Sequence, residues 1–400
     1  MKTNFIPLLF VTSTLLSLTL FINSCQKDPI VDLEPEVIST DISITRTLAD
    51  RSTGVDYRID GCIDVSGSAV LTIESGVVVE FTQNSCLNVS DFAVLKEVGT
   101  ANKPIIFTGQ QKTKGFWQGI SFFETNNTEN ELTYCTIEYA GTAAVSTASD
   151  ARQAALIVGK QYKDPARLKM NNVTIQHNLN TGLYLYSDSF IDAMKGCTFT
   201  DNEEPILVNG EAIHYLDADN SFTGNLKDHV LWLFSSSSST ANANFTVKEL
   251  PVPYYLGSDT YAIKAGGNMA INNGATLIVK AGAKLYCTEG GIITMNGTAA
   301  KPIVIKGESP QAGYWDGIYA SNSAKLTMNY VHLSDGGEAS TNKKAMATHL
   351  SDGELNVTNC VFSNYSIYGL SYDPDMPHNA DISTSNTCTG TTGAGCIWEL

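Results

Sequence analysis

Apolar and polar residues alternate in short runs along most of this chain, and Gly or Asn closes the runs. In the first half the pattern reads Cys135-Thr136-Ile137, Val173-Thr174-Ile175, Cys197-Thr198-Phe199 and Asn220-Ser221-Phe222. In the second half it reads Val331-His332-Leu333, Cys360-Val361-Phe362 and Asn386-Thr387-Cys388. A period of two predicts strands whose first and third residues point inward and whose middle residue points out. Third members stand 38, 24 and 23 residues apart in the first half, then 29 and 26 in the second. A period in the low twenties is one turn of a three-sided parallel β-helix, in which each rung buries its apolar residues against the next. The long interval holds a small, polar loop over about 142–154. Gly and Asn suit the corners because they accept left-handed backbone. A pair of β-sandwiches would match the strand content but not the period.

The chain also repeats on a larger scale. Ala69–Gly76 matches Ala275–Gly282, Gly99–Ile105 matches Gly297–Ile303, and Gly115–Ile120 matches Gly313–Ile318. Leu132–Gly141 matches the segment that ends Tyr330-Val331-His332-Leu333-Ser334-Asp335-Gly336-Gly337. The offset drifts from 206 to 196 while the order holds, which predicts a duplicated solenoid joined near Glu249–Pro253.

Leu71–Phe81, the Gly-Thr-Ala-x-Lys-Pro-Ile block, the Gly-[Phe/Tyr]-Trp-x-Gly-Ile block and Thr136–Gly141 together resemble right-handed parallel β-helix repeat lipoproteins, pectate-lyase-like in fold. The resemblance covers about residues 55–400 and implies an all-β fold: a right-handed, single-stranded parallel β-helix, internally duplicated. It implies no particular activity.

The N-terminus reads as an export leader. Lys2 precedes an apolar stretch from Phe5 to Ile22, and Asn23-Ser24-Cys25 follows. An apolar core that ends in a small residue before Cys resembles the lipobox of bacterial lipoproteins. The predicted layout is a signal peptide over 1–24, lipidated Cys25 with a flexible tether over 25–50, one β-helix copy over 51–250 and a second over 251–400. Gln26-Lys27-Asp28 is similar to the signal that carries some lipoproteins to the outer face of the outer membrane. Loss of Lys2 with the leader takes the formal charge from −16 to −17. That balance argues against nucleic acid as a partner. The expected partners are the membrane, through the lipid, and a glycan or surface protein.

Candidate chemistry is sparse. β-Helix lyases and hydrolases need clustered carboxylates with a basic group. The acidic pairs Glu203-Glu204, Asp217/Asp219 and Asp373/Asp375 lack an adjacent Arg and read as solvated turns, with Ca²⁺ at Asp373/Asp375 disfavoured. The six His residues show no metal spacing, so no cofactor or metal is expected. Cys135, Cys287, Cys388, Cys197 and Cys360 occupy inward positions and read as small core residues. Cys62/Cys86 and Cys388/Cys396 remain open as bridges. Trp117 and Trp315, with Asp316 beside the latter, are the candidate ligand-binding residues. The same Trp, repeated between glycines, also suits a role in closing the core at a corner. Tyr134, Tyr139, Tyr184 and Tyr186 are weaker candidates for stacking on a ligand. The reading is a lipid-anchored surface module for binding or adhesion. A polysaccharide lyase or glycoside hydrolase is the alternative, and a passive surface spacer a third.

Overall fold

The computed structural model describes residues 1, 34–51, 54–144, 153–159, 165–187, 189–234, 244–337, 345–349, 352–389 and 395–400. Residues 34–400 form one solenoid of short parallel strands. A ladder of thirteen parallel strands runs nearly the whole length, from Cys62–Val65 to Thr387–Thr389. Two further ladders complete the first half: seven strands from Glu36–Ile38 to Thr198–Thr200, and six from Arg46–Leu48 to Ser189–Lys195. Five strands from Asn244–Val247 to Gly353–Thr358, and six from Thr260–Ile263 to Gly395–Glu399, complete the second half. A 3-10 turn, Gly210–Tyr215, lies at the junction. Among the described strands, Ala143–Ala144 pairs antiparallel with the strand from Gln153.

The tether is shorter than the sequence suggests. Val37 and Arg46 already pair with Arg58 and Leu71, so the first rung begins within residues 34–50. Pro and Glu near residue 35 masked a strand of only three residues, too short to show a period.

Alternation sets the interior. Ile137, Ile175, Phe199 and Phe222 stack inward at consecutive rungs, and all are fully buried. Phe199 and Phe222 lie parallel with centroids 5.7 Å apart. At one corner a ladder of asparagines closes three rungs. Asn178 donates to Asn202 (2.9 Å), Asn202 donates to Asn225 (3.1 Å), and each also donates to a backbone carbonyl. Their spacing, 24 and 23 residues, is the period itself. Asn meets a buried corner well because its amide both donates and accepts.

The duplication holds at an offset of 198 from Val78 to Phe122 and of 196 from Tyr134 on. Val78–Phe81, Cys86–Val89, Val94–Val98 and Ile105–Gly109 correspond to Thr276–Val279, Lys284–Cys287, Ile292–Asn296 and Ile303–Gly307. Gly99 and Gly297 play one role: a Cβ there would stand 2.4 and 2.3 Å from the carbonyls of Tyr134 and Tyr330. The match of Ala69–Gly76 to Ala275–Gly282 is therefore one strand out of register. Strands in these rungs begin eight residues apart, at Val70, Val78, Cys86 and Val94, so an eight-residue slip preserves every inward and outward position. Cys287 then matches Val89, and Cys62 matches Thr260.

The repeated lysine has a structural role. Lys103 reaches back two rungs to Asp50 (2.9 Å), and Lys301 to Glu249 (2.6 Å). Gly76 and Gly274 sit beneath those contacts, where a Cβ would approach the carboxylates to 3.0 and 2.6 Å.

Candidate functional site

The structure places both tryptophans inside. Trp117 and Trp315 have no exposed surface. The Trp117 indole N–H donates to the Glu138 carbonyl (2.8 Å), and its ring stacks on Phe81 with centroids 3.8 Å apart. The Trp315 N–H donates to the Ser334 carbonyl (2.8 Å). Neither ring offers a face to a sugar, so both are core-closing residues and the surface-platform expectation does not hold for them. Glycine on either side lets the indole turn inward. Asp316 stays at the surface, 3.5 Å from Lys284. Cys25 lies outside the described residues.

Four of the cysteines expected in the core are free and buried: Cys135, Cys197, Cys287 and Cys360. Cys388 is corrected. It packs partly against the core yet bonds Cys396, and Cys62 bonds Cys86 on the adjacent rung. Burial pushes the thiols of Cys287 and Cys360 up to about 12.

The more informative surface is the outward face of the long ladder. Strand register fixes one column along it. Asp64, Asn88 and Ser121 begin the column, and all are polar. Six apolar or aromatic residues follow on successive rungs: Ile157, Tyr184, Leu207, Leu231, Tyr255 and Ile278. The column then returns to Lys306, Ser334, Ser363 and Thr389. Ile157, Tyr184, Leu207 and Leu231 belong to a second hydrophobic cluster, separate from the solenoid core, and are buried. Tyr255 and Ile278 remain half-exposed.

Two recesses flank this stripe. The first, about 250 Å³, is lined by Gln153, Asn180, Thr181, Glu203, Glu204 and Lys227, with Leu207 at its base. The second, about 370 Å³, is lined by His229, Tyr255, Ile278, Lys306, Glu308 and Asp335, among others. They adjoin, because Glu204 of the first stands 3.7 Å from His229 Nε2 of the second.

Glu204 is 8% exposed, so the pair Glu203-Glu204 is not a solvated turn. Lys227 Nζ donates to Glu203 (2.9 Å) and Glu204 (3.1 Å). Burial alone would raise the Glu204 carboxyl, but His229 and Lys227 outweigh it and hold it below the ordinary carboxylate value. The Lys227 ammonium is pushed up, first by Glu203. His229 Nε2 is buried without a hydrogen bond, since 3.7 Å is too long for one. The His229 ring stacks on Tyr255 at 5.0 Å between centroids. Tyr255 donates to Glu308 (2.9 Å), and Tyr314 donates to the same oxygen (3.2 Å). Burial and the Glu308 charge push the Tyr255 phenol to about 12.

The set combines carboxylates, an amine, an imidazole and tyrosines along one parallel sheet, a constellation suited to holding hydroxyl-bearing polymers or moving protons. The sequence carries part of its signal, since Glu204, His229 and Tyr255 recur near the rung period. The lining from Glu203 to Asp335 crosses the junction and has no counterpart in either copy. Asp373 and Asp375 form a surface turn, with the Asp375 amide donating to Asp373 (2.9 Å). Among the described residues no three His, Cys, Asp or Glu side chains group as a metal site, and no helix is long and apolar enough to cross a membrane.

No curated protein and no solved structure matches the chain. Residues 43–150 are similar to the family described as pectate-lyase like beta helix domain, a match that covers the early rungs and ends before both recesses.

Proposed function

We propose that this protein is a lipid-anchored cell-surface module, held at the outer membrane through Cys25, that binds an extended glycan or protein along the outward face of its long ladder. The observation that supports the reading is that the apolar column, buried from Ile157 to Leu231, opens at its half-exposed end, Tyr255 and Ile278, into a recess lined by Lys306, Glu308 and Asp335.

The test is retention on immobilised glycans and surface extracts by the full chain and by Tyr255→Ala. Loss of retention by a folded variant supports the reading, and unchanged retention sinks it. The anchor is tested separately: Cys25→Ala should abolish labelling by a fatty-acid analogue and release the protein from the outer-membrane fraction.

A second reading, a polysaccharide lyase or glycoside hydrolase, is favoured by one observation. Glu204, Lys227 and His229 bring a buried carboxylate, an exposed amine and a largely buried imidazole together. New reducing or unsaturated ends that vanish in Glu204→Gln would establish that reading over the first.

A further inference from the structure

We infer that the recess at Tyr255 and Glu308 takes a neutral polysaccharide and excludes polyuronates; this rests on the binding reading above and names the ligand class of that same face.

The argument is one of charge and hydrogen-bond sense. The two adjoining recesses present Glu203, Glu204, Glu308 and Asp335 against Lys227 and Lys306. Lys227 is already engaged by both Glu203 and Glu204. Among the described residues no Arg lines either recess, so the described linings lack the planar fork that grips carboxylates. A polymer with a carboxylate on every sugar would bring like charge against Glu308 and Asp335. A neutral sugar brings hydroxyls, which donate to carboxylates.

The geometry suits that exchange. Glu308 accepts from both Tyr255 and Tyr314 through one oxygen, Oε2, and is itself exposed. The two phenols fix in place a carboxylate that lines the recess. His229 lines the same recess with its ring, its Nε2 being buried. Tyr255, half-exposed and backed by the His229 ring, supplies a flat apolar surface of the kind on which a pyranose ring stacks. Ile278 continues that surface one rung further.

The experiment uses the full chain with mixed-linkage β-glucan, arabinoxylan and galactomannan as neutral probes, and polygalacturonate and alginate as acidic ones. Affinity electrophoresis and calorimetry report binding. The expected result is retention by at least one neutral polymer, unaffected between about 0.1 and about 1 M salt, over which screening shortens from ~10 to ~3 Å. Tyr255→Ala should weaken it about tenfold or more, an aromatic stacking loss of about 1.4 kcal/mol. Because Glu308 is exposed, Glu308→Gln leaves the fold intact. It should weaken neutral-glycan binding severalfold and let polygalacturonate bind more tightly than the parent does. Polyuronate binding by the parent that is lost in Tyr255→Ala would overturn the neutral-ligand inference and leave the binding face in place. Binding of any glycan that ignores both substitutions would overturn the face as well. Retention of none of the five polymers would overturn the inference alone, since a protein ligand then remains.

Discussion

Glu97 is a carboxylic acid in a hydrocarbon stack. It has no exposed surface, and strand register sets it between Ile73 and Leu132, both buried. The Thr133 amide donates to its Oε2 (2.8 Å), while Oε1 is buried without a hydrogen bond. Burial pushes its pKa from 4.5 to about 8, so the acid is neutral at pH 7. The folded state then holds a proton that the unfolded chain releases above its own pKa. The contribution of this group is intact below pH 4.5 and is lost as pH rises through 8. At 1.36 kcal/mol per pH unit, the loss amounts to about 5 kcal/mol across that window and about 3 kcal/mol at pH 7. The second copy provides the replacement, since Met295 stands at the equivalent position. Glu97→Met should change stability little at pH 4.5 and stabilise progressively above it. Denaturant unfolding of parent and variant at half-unit steps from pH 4.5 to 9 measures the difference, and the difference cancels all other titrations. A gap that stays constant with pH would refute the reasoning, as would Glu97→Gln behaving like the parent at pH 9. Adding Cys135→Val rebuilds the second copy's Met295/Val331 pair. The Cys135 thiol is pushed well up, first by burial and then by Glu97, so the double variant should be at least as stable as Glu97→Met.

Cys135→Val alone should cost under about 1.5 kcal/mol at pH 5, since volume is nearly kept; a larger loss in the unfolding midpoint would assign the thiol another role. Trp117→Ala should destabilise by about 3–5 kcal/mol through loss of the Phe81 stack, leaving glycan retention by the folded fraction unchanged. Gly297→Ala should destabilise by more than about 2 kcal/mol, because its Cβ meets the Tyr330 carbonyl at 2.3 Å; a folded variant with unchanged melting would show that the corner can yield.

The rung period was legible because every turn repeats one requirement, inward apolar residues with Asn or Gly at the corner. The buried tryptophans were half-legible, since repetition in both copies pointed to the core while their chemistry pointed to sugar. The offset near residue 69 was misread because the three sides of a rung are nearly alike in pattern. Glu204 was hidden for a different reason. Its partners Lys227 and His229 lie about one rung away in sequence, and only strand register reveals that the three meet.

Register also explains why the duplication does not make two sites. Ile105–Gly109 belongs to the seven-stranded ladder, but its equivalent Ile303–Gly307 belongs to the long one. Gly119–Phe122 belongs to the long ladder, and its equivalent Gly317–Ala320 to a ladder of the second half alone. Along the long ladder, therefore, the strands change their repeat role between the copies. Outward residues that are equivalent in sequence come to lie on different ladders, and Trp117 and Trp315 precede strands of two separate sheets. Matched residues of the two copies therefore do not share one ladder. What the long ladder offers instead is one column in which the buried Tyr184 and Leu207 of the first copy continue into the half-exposed Tyr255 and Ile278 beyond the junction. Binding along that face should therefore saturate at one ligand segment per chain, measured by calorimetric stoichiometry with short oligosaccharides. Two equal sites per chain would contradict the single-face arrangement.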